Sequence, residues 1–535
     1  MQNLYIFAIG GSGERVMNSL VMMLAAGMPA GAQRITPVFV DNDVSSNALK
    51  KSLRLIEYYR ANENDKMGLH ELGRNVPKNS NKSKGAGTEG VNQEVPSFAH
   101  VELCKPVILN IAGDSIGTLN KIIGNLDDKD TVEADIKEEK ELLFSDDDLD
   151  MPLTVGFVGN PNIGSVVLNT LSFNCDEFDT ILGAQKDDGV FVVGSLFGGT
   201  GAAGFPLVIN KFLESNDPNR PLLGGVALLP YFDIKEGDQT NGLIDTNKYD
   251  VHSDTFATKT RAALMYYDEY MNTMDYLYYA GDDMHPQYEH NVGGAKQENP
   301  SNMIEVMAAL SALDFSKQQH PSGVVYKRPI WGFNDDDDAT SNISGVRNAG
   351  LRRAMVKFQL LKELFENEKF LQDDIEQKRV HVNNISFSDT MRKAAIDEKQ
   401  LNNCKCAWGL YHFFKEWDIW TDELSNSTSN INGKRRFILF DNKQVVTPDN
   451  ITSLFYSSEV KGIAKTKQVK TGSFLGMGGH TETVAIDPEI KEELAQAFND
   501  LHLTGTVTDR VPSYSYLMLI ISKALDKVLD NKCNI

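Results

Sequence analysis

Cysteine is scarce in this chain: five residues, Cys104, Cys175, Cys404, Cys406 and Cys533, are scattered through 535 positions with no C-x-x-C pair among them. An odd, dispersed set argues against a disulfide framework. Cys404 and Cys406 have no second pair nearby to complete four zinc ligands, so they read as ordinary thiols. The ten histidines add no metal signal either: His285 and His290 sit near acidic residues, but no helical H-E-x-x-H spacing occurs. No metal centre built from side chains is expected.

Long apolar runs are also missing. No stretch approaches the ~18 uninterrupted apolar residues of a membrane helix. The apolar start at residues 1–10 lacks the basic leader and small-residue cleavage site of a secretory signal. These absences lead to the expectation of a cytoplasmic protein without a membrane span. Positive charge is in deficit, with 53 Lys and Arg against 74 Asp and Glu and a net charge of −21. No Lys/Arg stripe interleaved with aromatics offsets it, so nucleic acid is not expected as a direct partner. A small phosphate ligand stays compatible, because backbone N–H groups and a helix dipole hold it without net positive charge.

What is present is alternation. The 41% hydrophobic content and the length suffice for two or three cores. Residues 4–9 read as a strand, Gly10-Gly11-Ser12-Gly13 as a turn, residues 14–26 as an amphipathic helix, and residues 35–40 as a second strand ending in Asp41-Asn42-Asp43. A Lys/Asn/Ser/Gly-rich patch at 78–90 and an acidic stretch at 127–150 mark residues of about 51–150 as an insertion. Order returns at 153–158, followed by Gly159-Asn160-Pro161-Asn162-Ile163-Gly164 and a helical pattern to Leu171. Residues 190–195 form a continuous apolar strand, 197–204 a glycine-rich turn, 205–213 a helix and 222–229 another buried strand. Strands alternating with helices predict a parallel α/β sheet, with ligands beyond the carboxyl ends of its strands.

A long helical segment at 256–280 separates this half from a mixed remainder. Helices are expected at 303–313, 351–365, 489–501 and 514–529, strands at 323–330, 436–440 and 483–486, and an acidic loop at 335–338. That pattern predicts an α+β second domain over 281–535. No fixed-period repeat is present.

The chemistry-bearing features are two glycine turns, each between a buried strand and a helix. Gly10–Gly13 and Leu196-Phe197-Gly198-Gly199-Thr200-Gly201-Ala202-Ala203-Gly204 both aim backbone N–H groups at the top of the sheet, where missing side chains admit phosphate oxygens. Thr200 adds a hydroxyl. A P-loop fails because Thr200 follows Gly199 where Lys is required, and a dinucleotide fingerprint fails because Val16 stands in place of the last glycine. The dinucleotide reading retains Asp41 as a ribose-binding acid and leaves the second turn unexplained.

Taken in chain order, these loops resemble the tubulin/FtsZ family. Gly10, Gly11, Ser12 and Gly13 match its first glycine loop, Asp41 and Asn42 its second, and the loop bearing Asn160 and Pro161 its Asn-Pro phosphate loop. The segment with Gly198, Gly199, Thr200, Gly201 and Ala202 is similar to its G-G-G-T-G-[ST]-G signature, departing at Phe197, Ala202 and Ala203. The segment at 225–237, with Asp233 and Glu236, resembles its sugar-contacting loop. The resemblance covers roughly residues 1–50 and 153–280. It implies a nucleotide-binding domain over 1–255, a central helix at 256–280 and a C-terminal α+β domain.

It also implies GTP or GDP with Mg2+ as ligand, self-association into a filament, and hydrolysis completed by the neighbouring subunit. Phe256 stands where the family stacks a base, and Thr260 near its base-reading acid or amide; packing in the core is the alternative for Phe256. Asn302 and Glu305 resemble a remnant of the water-orienting loop, although an acid in a helix's first turn also complements its dipole. Catalysis of phosphoryl transfer by a carboxylate would consist mainly of positioning. Two alternatives remain: a non-polymerising nucleotide-dependent scaffold or switch, and a dinucleotide-dependent enzyme. The insertion and the C-terminal helix at 514–529 are candidate protein contacts, while core packing also explains the helix's apolar stripe.

Overall fold

The computed structural model describes residues 1–43, 45–60, 68–70, 98–109, 117–123, 139–140, 142–153, 156–157, 159–169, 175–214, 217–234, 253–271, 274–282, 285–288, 299–327, 349–367, 371–374, 379–382, 407–426 and 513–533. The chain forms two compact units. The first gathers Met1–Leu20, Ala30–Ile56 and Leu103–Gly345, and the second gathers Val21–Pro29, Glu57–Glu102 and Val346–Ile535.

The first unit is an α/β fold around a mostly parallel sheet. In chain order its elements begin with β1 (Asn3–Ile9), α1 (Gly10–Ala25), β2 (Arg34–Val40), α2 (Asn47–Tyr59), β3 (Glu102–Leu103) and β4 (Val107–Leu109). Short helices α3 (Leu119–Ile122), α4 (Asp146–Asp150), α5 (Pro161–Val167) and α6 (Asp176–Leu182) lead to β5 (Gly189–Ser195) and α7 (Gly199–Glu214). Then come β6 (Leu222–Leu228), β7 (Asp233–Ile234), α8 (Phe256–Met271), β8 (Tyr276–Ala280), β9 (Gln287–Tyr288), α9 (Met303–Phe315) and β10 (Val325–Lys327). The sheet order is β10-β8-β6-β5-β1-β2-β3, with β4 also paired to β2. Pairs β1/β2, β1/β5, β5/β6, β6/β8, β8/β10 and β2/β4 are all parallel.

Burial on both faces explains why β5 and β6 read as uninterrupted apolar runs. Successive side chains alternate between the faces. Phe7, Val192 and Leu277 join one core with Phe178 of α6 and with Phe205 and Phe212 of α7. The opposite face carries Phe191 and Tyr276, whose rings pack on Phe315 at 5.1 and 5.9 Å, so α9 covers that side. Gly224 of β6 faces the Phe315 ring directly, leaving no room for a side chain.

Four expectations change here. The helical segment starting at Phe256 ends at Met271, and Tyr276–Ala280 is a sheet strand paired with β6 and β10. It is a crossover followed by a strand, and not one central helix over 256–280; the aromatic run of β8 suits a pleated surface better than a helix. The sheet also continues past residue 281, so the first unit extends to Gly345 rather than closing at 255. Within the supposed insertion, Val107–Leu109 pairs with β2 and belongs to the sheet. Of the expected strand at 153–158, the described residues Leu153, Gly156 and Phe157 lie outside any strand.

The second unit holds α10 (Ala349–Asn367), the hairpin β11 (Leu371–Asp374) with β12 (Arg379–Val382), α11 (Ala407–Asn426) and α12 (Ser513–Val528). Phe358, Phe413, Trp417 and Trp420 build its core, and Trp417 Nε1 donates to Gln359 Oε1 at 2.9 Å. The C-terminal helix spends its stripe of Met518, Ile521, Leu525 and Val528 on burial within this unit. Lys357 Nζ ties α12 down through Ser522 at 3.0 Å and Asp526 at 2.6 Å. The expected strands at 436–440 and 483–486, the helix at 489–501, the patch at 78–90, the acidic loop at 335–338 and the Cys404/Cys406 pair lie outside the described residues, as does part of the acidic stretch at 127–150. Among the described residues no helix is long and apolar enough to cross a membrane.

Phe315→Ala empties the space over Gly224 and is expected to cost about 3–5 kcal/mol in chemical denaturation. A loss below about 1 kcal/mol would contradict the packing of α9 on the sheet.

Candidate functional site

The chain runs outward from β1 to β2 and the β3/β4 edge, then returns to the other side of β1 as β5. Strand order therefore reverses between β1 and β5, and both glycine turns leave the sheet at that point. A crevice at such a reversal is the general ligand site of open parallel sheets.

Both glycine turns turn out to be first turns of helices rather than separate loops, α1 starting at Gly10 and α7 at Gly199. The first N–H groups of a helix have no intrahelical acceptor and carry its positive dipole end. Gly10 has φ +69°, and a Cβ there would lie 3.2 Å from Thr200 Cβ and 3.5 Å from Gly201 N, so the two helix starts touch. Gly201 is seated on the end of β5, where a Cβ would stand 2.6 Å from Ser195 N and 2.8 Å from Ser195 O. Only glycine permits that approach.

The other loops close on the same place. A Cβ on Gly156 would lie 3.8 Å from Asp41 Oδ1 and 3.9 Å from Thr200 Oγ1, and one on Gly199 would lie 3.0 Å from Asn160 N and 3.2 Å from Gly159 N. Gly11, Ser12, Asn42, Gly159, Asn160, Pro161 and Gly198 are partly exposed, while Gly10, Gly13, Asp41, Thr200, Gly201 and Ala202 are buried behind them. Asn160 caps α5, its Oδ1 accepting from Asn162 N at 3.1 Å and its Nδ2 donating to Asp148 Oδ1 at 3.1 Å. Ala202 O accepts from the Tyr267 hydroxyl. Asp233 Oδ1 lies 3.0 Å from His285 Nδ1. Glu236 lies outside the described residues.

Two residues that sequence reasoning passed over, Glu14 and Arg15, sit fully and almost fully buried in the second turn of α1. Arg15 Nε donates to Glu305 Oε1 at 2.6 Å, and its Nη2 to the Tyr231 hydroxyl at 2.9 Å and to Ser12 Oγ at 3.2 Å. The Tyr231 hydroxyl donates to Glu305 Oε1 at 2.9 Å. Asn302 is the N-cap of α9: its Oδ1 accepts from Ile304 N, and its own N–H donates to Glu305 Oε2 at 2.9 Å. Burial pushes the Glu305 carboxyl up, opposed by Arg15. Desolvation is outweighed at Arg15 by Tyr231 and Glu305, which hold it above the ordinary arginine value. The signal for this network was in the sequence: Glu14 and Arg15 stand in an otherwise largely apolar helical run, and a charge buried in such a helix calls for a partner.

This geometry corrects the water-orienting role expected of Glu305 and Asn302. Glu305 has no exposure and both its oxygens are engaged, so it braces α9 against α1 and offers no carboxylate to a second subunit. The base-stacking expectation for Phe256 is corrected too. Its ring is buried 4.8 Å from Phe197 and 6.0 Å from Phe232, in a cluster that also takes in Tyr231 and Tyr288. Phe197, at the position where the resemblance breaks, supplies the ring that draws Phe256 into the core. Thr260 is buried, and its hydroxyl has no partner among the described residues.

Glu14, Asp41 and Asp43 form a buried acidic group beside these loops. Ser46 Oγ donates to Glu14 Oε2 at 2.8 Å, and Asp41 Oδ1 accepts from Asp43 N at 3.0 Å. Burial, then Asp41, drives the Glu14 carboxyl well up; burial raises Asp41 from 3.8 to about 6. No protein-family model and no curated protein matches the chain.

Two outcomes follow. Arg15→Met leaves Glu305 buried without its cation and is expected to cost about 3–5 kcal/mol, whereas adding Glu305→Leu recovers most of that loss; simple additivity of the two losses would contradict the pairing. A carboxyl with a raised folded pKa supports the fold fully below its unfolded value, and that support fades as pH rises from 3.8 through about 6. Relative to wild type, Asp41→Asn is therefore expected to gain on the order of 2 kcal/mol between pH 4 and pH 7; parallel stability curves would show that Asp41 is not strained.

Proposed function

We propose that this chain is a nucleotide-binding protein of the tubulin/FtsZ kind, gripping the phosphates of GTP or GDP above the β1/β5 reversal and self-assembling through its nucleotide-bearing face. The observation that carries the reading is the contact of Gly10 with Thr200, flanked by Gly156 and Asp41. Two helix starts from one sheet then direct unpaired N–H groups into a single small volume, which suits a chain of phosphates rather than one anion. The sheet order around β1 and the loop order along the chain support the family resemblance.

Mg2+ would enter with the nucleotide. Among the described residues no group of three Asp, Glu, His or Cys is placed to hold a metal alone, and Mg2+ commonly relies on phosphate oxygens and water for most of its shell. A second reading has one observation in its favour. With Glu305 and Asn302 occupied inside the fold, the nucleotide acts as a structural ligand or switch in a non-polymerising module.

Chromatography of the denatured protein is expected to release GTP or GDP; release of NAD, or none after incubation with GTP, would refute the nucleotide assignment. Thr200→Val and Gly199→Ala are expected to lower GTP affinity at least tenfold with the circular dichroism spectrum retained, because the first removes a hydroxyl and the second pushes on Asn160. Sedimentation with a slowly hydrolysed GTP analogue separates the two readings: pelleted filaments favour assembly, discrete particles the switch.

A further inference from the structure

The acidic group beside the phosphate loops is at odds with an anionic ligand. Asp41 Oδ1 and Thr200 Oγ1 flank Gly156 together, so a phosphate received by Thr200 comes close to a carboxyl. Glu14, which interacts with Asp41, has zero exposure, and its Oε1 has no hydrogen-bond partner among the described residues. Buried carboxylates ordinarily collect several donors, so one served among the described residues only by Ser46 at Oε2 is housed as a neutral acid. Asn42 Oδ1, next along the chain from Asp41, is another buried acceptor lacking a donor.

The groups that act on Glu14 are Asp41, Asp43, Ser46 and Arg15. Arg15 is the only cation of the set, and its guanidinium is committed to Glu305, Tyr231 and Ser12. Among the described residues Asp41 receives backbone N–H donors, from Asp43 and Asn42, and no side-chain cation. Among them neither carboxyl therefore has a counter-charge of its own. A proton neutralises such a pair without any ligand geometry, and a protonated carboxyl turns from repelling a phosphate oxygen into donating to it; Mg2+ arriving with the nucleotide is the competing neutraliser that the titration below separates.

We infer that phosphate-ligand binding at this site is proton-linked: Asp41 and Glu14 together take up one proton from solvent as the nucleotide enters. The inference rests on the nucleotide reading above and adds its regulation. Two carboxyls this close titrate as a unit, so the proton belongs to the pair and not to either residue alone. Nucleotide affinity consequently falls as pH rises, and at the limit of one linked proton it falls about tenfold per pH unit.

The test is isothermal titration of the full chain with MgGTP from pH 6 to pH 8.5, in buffers of different ionisation enthalpy, which counts protons exchanged. GTP titrates on its own account, so the quantity read is the difference between wild type and variant. Wild type is expected to take up about one proton more than Asp41→Asn near neutral pH. Glu14→Gln, which keeps the shape and the Ser46 bond, is expected to lower the count in the same direction and to flatten the pH dependence of affinity. Equal proton counts in wild type and both variants would overturn the inference while leaving nucleotide binding intact, as would affinity governed by Mg2+ with no proton difference. Absence of GTP binding to wild type at every pH would remove the nucleotide reading and this inference with it.

Discussion

The arrangement depends on backbone meeting backbone where α1 and α7 leave the sheet. Gly201 rests against the main chain of Ser195, Gly10 against Thr200 and Gly201, and Gly13 against Val193 O at 3.0 Å from its virtual Cβ. Side chains at these points would force the helix starts apart, and with them the first N–H groups of each helix. The conformational entropy lost in ordering glycine is offset by the parallel sheet, which is buried on both faces and fixes the strand ends to which these helices attach.

Around that contact the protein buries an unusual amount of charge and resolves it in two ways. On one side Arg15, Glu305 and Tyr231 satisfy one another with short hydrogen bonds, and Asn302 completes the second carboxylate oxygen. Such a pair contributes little net stability over an apolar substitute, but it is costly to break singly, which makes it a brace for relative position. On the other side Glu14 and Asp41 have no cation to themselves among the described residues, and burial favours the protonated form of each. The second turn of α1 carries one residue of each kind, Glu14 and Arg15.

Phe197 organises its neighbours. Tyr231, Phe232 and Phe256 pack around its ring edge-on and tilted. Aromatic clusters of this kind gain from geometry as well as area. Phe256 is thereby held in the core, and Arg15 lies 5.8 Å from the centre of the Phe232 ring, linking the aromatic cluster to the ion pair.

Strand identity for β1, β2, β5 and β6, the starts of α8 and α9, and the pairing of glycine turns with strand ends were legible from residue order, because they depend on period and on local backbone chemistry; α1 and α7 begin earlier than expected, inside the glycine turns. The α/β class with a mostly parallel sheet followed from the same alternation. Residue order did not show that Tyr276–Ala280 leaves the helix to join the sheet, that Val107–Leu109 adds to its far edge, or that Glu305 turns inward to Arg15, since each is settled by a partner far away in sequence. Local patterning can declare which residues are apolar, flexible or acidic; only the folded chain, by bringing residue 15 to residue 305 and residue 41 to residue 200, decides which charges are matched, which stay unmatched, and which ring is open to a ligand.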